Sequence, residues 1–204
     1  MVARLLEFGN PSRNGDPVTF TKSYLAETVD ILQSLDGDAI ERCVETLAQI
    51  RARGGRLFIL GVGGSAATAS HAVNDFRKIC RFDAYAPTDN VAELTARTND
   101  SGWSSTFVSW LDVSRLCERD GILVLSVGGG NQTASPNIVF ALSLAVEADA
   151  TILGVVGRDG GHTASVAKAC VTIPPLIADR ITPHTEGVAS VIMHLIVSHP
   201  LLAP

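Results

Sequence analysis

The sequence lacks the features of a membrane-spanning, nucleic-acid-binding or secreted protein. It has no lysine- or arginine-rich block, and its formal net charge is −5 over 204 residues, so we expect no nucleic-acid partner. Its longest apolar runs, such as GILVLSV at 121–127, are much shorter than the roughly 20 residues that span a bilayer. The first ten residues, MVARLLEFGN, carry no signal-peptide pattern. We therefore expect a cytoplasmic protein with no membrane partner.

The four cysteines form no C-x-x-C pair. They are scattered along the chain at Cys43, Cys80, Cys117 and Cys170, which argues against a zinc knuckle and, in a reducing compartment, against disulfides. Hydrophobic residues make up 46% of the chain and charged residues 18%, as in a well-buried globular protein. We therefore interpret the cysteines as small buried side chains.

Two amphipathic helices are predicted ahead of the first strand. A turn-rich segment, NPSRNGDP at 10–17, precedes them. Apolar residues at helical spacing predict the first helix from Thr19 to Leu35. The second helix is predicted to follow Asp38 as its N-cap, with Glu41 as the capping-box partner, and to end at Gly54–Gly55.

Beyond residue 55, predicted strands alternate with predicted helices. Near-continuous apolar runs predict buried strands at 56–62, 121–127 and 151–157, with further strands at 171–174 and near 83–87. Helical stretches lie between and after them, at 65–79, 90–97, 103–117, 135–148, 162–169 and 184–198. Repeated units of this kind imply a parallel sheet with right-handed crossovers. The prediction is one α/β domain over 1–204, a three-layer sandwich in which 1–54 form an N-terminal helical pair and 55–204 the α/β core.

Two glycine-rich turns follow predicted strands and form the candidate ligand site. They are GVGGSA at 61–66 and VGGGN at 127–131. At the carboxyl ends of parallel strands, glycine lets the backbone approach an anion, and free N–H groups at a helix start favour negative charge. Neither turn matches the dinucleotide fingerprint or carries a P-loop lysine. A phosphate or a polyhydroxyl substrate is favoured over a nucleotide, the alternative being two merely tight strand–helix turns.

Two of the predicted helices each present an imidazole and a carboxylate on a polar face. His71 and Asp75 lie four residues apart on one helix, and Glu186 and His194 share a polar stripe of the last helix. Two imidazoles and two carboxylates suit Zn²⁺, with Mn²⁺ or Fe²⁺ as alternatives. The simpler interpretation is that both are ordinary solvated faces of amphipathic helices.

The rest of the last helix is interpreted from its periodicity. Apolar side chains at helical spacing are predicted to form its buried side, namely Val188, Val191, Ile192 and Leu195. His184 and His199 are interpreted as surface or capping residues rather than as members of the site.

Four segments together resemble the sugar isomerase (SIS) domain, specifically the phosphoheptose isomerases. They are GVGGSAATASH, TDNVAELTARTND, the glycine turn after Ser126, and ITPHTEGVASVIMHLIVSHP. The resemblance covers nearly the whole chain, including the two leading helices. It implies a five-stranded parallel sheet of flavodoxin-like order and a homotetramer whose N-terminal helices pack between subunits, with active sites between subunits. The implied reaction converts sedoheptulose 7-phosphate into D-glycero-D-manno-heptose 7-phosphate through an enediol.

The resemblance also implies which side chains perform the chemistry. His71, Asp75, Glu186 and His194 fall where bacterial phosphoheptose isomerases place His, Glu, Gln and His, which bind zinc in many members. Either Asp75 or Glu186 is implied as the base, with His194 as the acid partner. A bound metal would polarise the carbonyl. Because Asp is one methylene shorter than Glu, we hypothesise that the longer arm of Glu186 compensates for Asp75.

The implied substrate contacts cluster around the two turns and the last helix. They are Gly63, Gly64, Ser65, Asp89, Asp100, Ser126, Gly128, Gly129, Asn131 and Thr182. The family's second turn is typically S-T-S-G-N-S, whereas this chain has S-V-G-G-G-N at 126–131. Backbone N–H groups, with Ser65, Ser126 and Asn131 as side-chain donors, are expected to hold the phosphate. The altered turn leaves two alternatives open: an SIS enzyme for another sugar phosphate, and a noncatalytic sugar-phosphate-binding protein.

Overall fold

Five parallel strands form the central layer of the computed structural model, which describes residues 17–203. The strands are β1 Leu57–Leu60, β2 Ala84–Tyr85, β3 Gly121–Ser126, β4 Thr151–Val156 and β5 Ala169–Thr172. They lie in the order β2-β1-β3-β4-β5, and every neighbouring pair is parallel. This is the predicted flavodoxin-like order, so the predicted fold class is confirmed. The turn-rich segment at 10–17 and the N-terminal decapeptide lie almost wholly outside the described residues.

Helices cover both faces of the sheet. Those on the first face are α1 Pro17–Gln33, α2 Gly37–Ala52, α3 Gly64–Lys78 and α8 Ile181–Ser198, and those on the second are α4 Val91–Ser101, α5 Thr106–Val113, α6 Pro136–Glu147 and α7 Gly161–Val166. No helix within residues 17–203 is long and apolar enough to cross a membrane.

Alternate residues of each strand supply the two hydrophobic cores. Leu57 and Ile59 of β1 face the first core, while Phe58 and Leu60 face the second, and all four are at most 1% exposed. Covering both faces explains why the strands have continuous apolar runs. Each such side chain contributes roughly 1.5–3 kcal/mol when buried. The apolar stripe of α2 also lies in the first core, so this helix buries its stripe within its own chain.

Side-chain caps and left-handed residues move several helix ends from their predicted positions. Asp36, not Asp38, is the N-cap of α2, because its carboxylate accepts a hydrogen bond from the Ala39 N–H at 3.1 Å. The helix predicted at 103–117 is a 3₁₀ turn followed by α5, which ends at Val113. Arg115, with φ of 53°, is left-handed there and ends the helix.

Helix α8 begins at Ile181, three residues earlier than predicted, and its buried side differs from the prediction. Val191 and Leu195 are 48% and 43% exposed, so their predicted burial is wrong. Only one side of the helix faces the sheet, and Val188 and Ile192 are buried there as predicted, each 1% exposed. His184, interpreted as a surface or capping residue, is only 3% exposed, because it packs against α1.

A charged cluster anchors α1 to the start of α8. The Glu27 carboxylate accepts hydrogen bonds from Arg180 Nε at 2.8 Å and Nη2 at 2.6 Å. His184 Nε2 lies 2.9 Å from the same carboxylate, and the Tyr24 ring stacks on His184 with centroids 4.3 Å apart. Hydrogen bonds from Arg180, and secondarily from His184, lower the pKa of Glu27 to about 2. The first turn of α8 is therefore held by a carboxylate that is ionised at neutral pH.

Glu27→Gln is expected to lower the free energy of unfolding at neutral pH. As the pH is lowered, the free energy of unfolding of this variant is expected to fall less than that of wild type. The folded-state pKa of about 2 lies below the ordinary 4.5. The carboxylate therefore stabilises the fold fully above pH 4.5 and loses that contribution as the pH falls towards 2. Urea denaturation at several pH values measures the difference. Glu118→Gln, at an exposed turn, is the control, and equal pH profiles for wild type and Glu27→Gln would contradict this expectation.

Candidate active site

Helices α3 and α8 lie side by side and bring three of the predicted metal ligands together. Asp75 Oδ2 lies 3.2 Å from His71 Nε2 and 3.6 Å from His194 Nε2. One ligand atom from each residue lies within 4.8 Å of the other two. The i, i+4 spacing on α3 places His71 over Asp75, and the contact between the helices adds His194 from the opposite side.

The three side chains differ strongly in burial. Asp75 is only 8% exposed, whereas the imidazole side chains of His71 and His194 are 54% and 53% exposed. Asn74 Nδ2 donates a hydrogen bond to Asp75 Oδ1 at 2.9 Å, which leaves Oδ2 facing the two imidazoles. Asp75 therefore does not lie on a solvated helix face. A buried carboxylate between two accessible imidazoles is a donor set that suits a divalent cation such as Zn²⁺.

Glu186 lies apart from this His–Asp–His group. Its carboxyl group occupies the space in front of Gly64, where a Cβ would lie 2.6 Å from the carboxyl carbon and both oxygens. Glu186 precedes His194 by eight residues, about 12 Å along the axis of α8. Its carboxylate accepts no hydrogen bond from any residue within 17–203. Gly64 thus has a spatial function, because its missing side chain leaves room for an unpaired carboxylate at the start of α3.

A cavity of about 920 Å³ lies at the N-terminal ends of α3 and α8, where Ser65 and Thr182 line it and Glu186 does not. Half of the predicted substrate contacts line it, namely Ser65, Ser126, Gly128, Asn131 and Thr182. Ser65 directly follows Gly64, where the Glu186 carboxylate lies, and Thr182 precedes Glu186 by about one turn of α8, so Glu186 is close in sequence to the cavity wall on both helices. The volume lies within the usual range of about 300–1,000 Å³ for small-molecule sites.

The other predicted contacts lie around or away from this cavity. Gly63, with φ of +63°, and Gly64 form the turn that starts α3. Asp89 lines a separate cleft of about 380 Å³ together with Ser70. Asp100 is exposed in the last turn of α4, which runs to Ser101 rather than ending near residue 97 as predicted. The structure does not bring Asp89 or Asp100 into the wall of the large cavity.

The second glycine turn uses several of its own hydrogen-bond donors internally. The Gly129 N–H donates to Ser126 Oγ at 3.0 Å. The Asn131 N–H donates to the Ala134 carbonyl at 2.8 Å, and Asn131 Oδ1 accepts the N–H groups of Thr133 and Ala134. These backbone groups are therefore already paired, although the Ser126 hydroxyl hydrogen and the Asn131 Nδ2 group remain available as donors.

Sequence reasoning missed a third glycine turn, G-R-D-G-G at 157–161, which follows β4. It packs backbone to backbone against the second turn, since the His162 N–H donates to the Gly130 carbonyl and the Thr163 N–H to the Gly129 carbonyl, both at 3.0 Å. Arg158 and His162 line the large cavity. The same signal that marked the other two turns, glycine at the end of a buried strand, was present here.

Comparisons with known proteins agree with this architecture. No model of a known protein family matches the sequence. The chain is 33% identical over 166 residues to the phosphoheptose isomerase of Nitratidesulfovibrio vulgaris, covering 76% of this chain and 74% of that protein. It is 29% identical over 184 residues to the phosphoheptose isomerase of Syntrophotalea carbinolica, covering 85% and 88%. The solved phosphoheptose isomerase of Neisseria gonorrhoeae has the same fold, with a TM-score of 0.78 at 23% identity over 89% of this chain and 97% of that one.

Gly129→Ala is expected to destabilise the chain by about 2 kcal/mol or more. A Cβ at this position would lie 1.8 Å from the Gly160 carbonyl oxygen, and the φ of +66° disfavours any other residue. Gly187→Ala on α8 is the control, because a Cβ there meets no atom within 4 Å and alanine favours the helix. Urea denaturation measures both variants. A Gly129→Ala protein as stable as wild type would show that the two turns do not need this close approach.

Proposed function

The chain belongs to the phosphoheptose isomerase family, and we propose that it is an aldose–ketose isomerase that converts sedoheptulose 7-phosphate into D-glycero-D-manno-heptose 7-phosphate. The resemblance noted in four sequence segments is thereby confirmed at the level of the family. The observation that carries the proposal is the Glu186 carboxylate, which accepts no hydrogen bond from residues 17–203 and lies at Gly64, one residue before cavity-lining Ser65, with a His–Asp–His group further along the same pair of helices.

Aldose–ketose isomerisation needs a base that moves a proton between neighbouring carbons through an enediol. Glu186 suits this role because it is half-buried, its carboxylate accepts no hydrogen bond within the described chain, and the carboxylate lies at Gly64, the residue before cavity-lining Ser65. Asp75, in contrast, already faces two imidazoles. We therefore assign proton abstraction to Glu186. His194, the acid partner implied by the resemblance, lies about 12 Å further along the axis of α8 and belongs to the His–Asp–His group instead.

The donor set of His71, Asp75 and His194 fits a divalent cation, and Zn²⁺ is the cation we propose. Two imidazole nitrogens and one carboxylate oxygen are a set that zinc binds in catalytic sites, where a further position stays open. A cation bound there would polarise the substrate carbonyl and stabilise the enediolate. Glu186, the fourth ligand expected from the resemblance, instead lies at Gly64 in this structure.

We further propose that the chain acts as a homo-oligomer, as a tetramer by resemblance to the family. Helix α1 exposes large apolar side chains, with Phe20, Leu25 and Val29 at 52%, 61% and 50%. Val191 and Leu195 of α8 are exposed as well. Leu25 and Val29 share one face of α1 because they are four residues apart. A second copy that covers such faces would remove apolar area from water, at about 25 cal/mol per Å².

Replacing Leu25 and Val29 together by glutamate is expected to dissociate the oligomer. Burying two carboxylates in an apolar contact is far costlier than leaving them in water, whereas both side chains are exposed in the single chain. Sedimentation velocity measures the assembly and circular dichroism checks that the subunit stays folded. A wild-type chain that sediments as a monomer would contradict the oligomer itself.

Glu186→Gln is expected to lower kcat by about 100- to 10,000-fold with a small change in KM, because the amide cannot accept the proton. NMR of the reaction in D₂O follows both the aldose product and deuterium uptake at C2. The assay is run on protein stripped of metal and on protein reloaded with Zn²⁺. Wild type is expected to form product, with deuterium uptake, only in the reloaded form.

The Asp75→Asn variant tests the proposed metal site independently of the proposed base. This variant is expected to lose activity together with bound Zn²⁺, whereas Glu186→Gln is expected to lose activity and keep the metal, as measured by elemental analysis. No turnover by folded, Zn²⁺-loaded wild type would contradict the proposed substrate. Full activity in Glu186→Gln would show that a residue other than Glu186 is the base.

A further inference from the structure

The phosphate end of the proposed substrate carries a double negative charge, and the second glycine turn supplies only uncharged donors. Val127 and Gly128 stand where the family motif has hydroxyl side chains. The N–H groups of Gly129 and Asn131 are already paired within the turn. The donors of the turn that have no hydrogen-bond partner within residues 17–203 include the Ser126 hydroxyl hydrogen, Asn131 Nδ2 and the Gly128 and Gly130 N–H groups, and none of them carries a charge that would match a dianionic phosphate.

Arg158, on the third turn, reaches into the same part of the cavity. It lines the wall, and its Cδ lies 3.9 Å from the position that a Cβ on Gly128 would take. The side chain therefore runs past Gly128, where the family motif has a serine. Within residues 17–203 its guanidinium donates no hydrogen bond and forms no ion pair. The neighbouring carboxylate of Asp159, which also lines the cavity, accepts the Gly161 N–H at 3.2 Å.

We propose that Arg158 binds the phosphate of the sugar phosphate in place of the hydroxyl groups that the second turn lacks. This inference rests on the proposed function, since it assumes a phosphorylated substrate in the large cavity. A guanidinium suits the task because its planar fork donates two parallel hydrogen bonds to a phosphate and keeps its charge at any working pH. His162, which lines the same wall, adds a ring nitrogen near the third turn.

The structure leaves room for a side chain at position 128 of the second turn. The φ of Gly128 is outside the left-handed range, and a Cβ would meet only Arg158 at ordinary contact distance. Backbone geometry therefore does not require glycine there, in contrast to Gly129. A serine at 128 would therefore fit beside the Arg158 stem.

Arg158→Gln is expected to raise KM for sedoheptulose 7-phosphate by about tenfold to a hundredfold, the usual effect of losing a charged hydrogen bond. The expected change in kcat is less than about threefold, because the side chain holds the phosphate and not the reacting carbons. The affinity for inorganic phosphate alone, measured by isothermal titration calorimetry, is expected to fall in parallel. Arg158→Lys keeps the charge without the fork and should give an intermediate KM.

Arg115→Gln is the matched control. Arg115 is also exposed and also left-handed, with φ of 53° against 55° for Arg158, but it lies outside the cavity. Its variant should match wild type in KM and in phosphate affinity. Gly128→Ser in the Arg158→Gln background restores a family hydroxyl. This double variant should have a lower KM and a higher phosphate affinity than Arg158→Gln alone.

The two measurements separate this inference from the proposed function. If wild type isomerises the substrate while Arg158→Gln retains both KM and phosphate affinity, the role of Arg158 is overturned and the function stands. If wild type does not isomerise the substrate but binds phosphate, the proposed function fails, and a loss of binding in Arg158→Gln still supports the anion site. A wild-type chain that binds no phosphate overturns the inference.

Discussion

The contact between α3 and α8 is the constraint on which the candidate site depends. The two helices lie on the same face of the sheet, and their contact places His194 of one helix against Asp75 of the other. One turn from the cavity, the same contact brings Glu186 into the space that Gly64 leaves empty. A side chain at Gly64 would displace the carboxylate that we assign as the base. The chemistry therefore depends on a glycine that itself has no chemical function.

The cavity depends on a second set of close contacts, between the turns that follow β3 and β4. Backbone groups of one turn donate to carbonyl groups of the other, and Thr163 Oγ1 adds a hydrogen bond to the Gly129 carbonyl at 2.7 Å. These bonds hold the Gly129 and Gly130 carbonyl groups, while the Gly129 and Asn131 N–H groups are paired inside their own turn. The donors that stay free in the second turn are uncharged, so the charge of a ligand is left to a side chain, and Arg158 is placed to match it.

Most of the fold could be predicted from the sequence because both faces of the sheet are covered. Continuous apolar strands such as 121–127, separated by amphipathic helices, indicated the parallel sheet, and the flavodoxin-like order followed from the family resemblance. The helix ends were less predictable, since either Asp36 or Asp38 can cap α2 and only the backbone geometry decides. The exposure of Val191 and Leu195 could not be predicted either. Helical periodicity shows that a helix has an apolar side, but it does not show how much of that side faces the core.

Individual residues of the candidate site could be predicted from the sequence, but their positions relative to one another could not. Spacing on one helix placed His71 over Asp75, but no pattern in the sequence states how far α8 slides along α3. That offset decides that His194 meets Asp75 while Glu186 lies at Gly64. The third turn was missed for a different reason: Arg158 gains significance only from the loss of hydroxyls in the second turn, and the two turns are about 30 residues apart in sequence and adjacent in space.

The charged cluster at the start of α8 connects the site to the surface that α1 presents. Arg180 and His184 flank Thr182, which lines the cavity, and both contact Glu27 of α1. The Glu27 side of α1 is thus fixed to the helix that carries Glu186 and His194, while its Leu25 and Val29 side is exposed and apolar. A copy of the chain bound to that apolar side, as we propose, would therefore contact the helix that is hydrogen-bonded to the first turn of α8. The proposed assembly surface and the candidate catalytic groups are thus connected through α1.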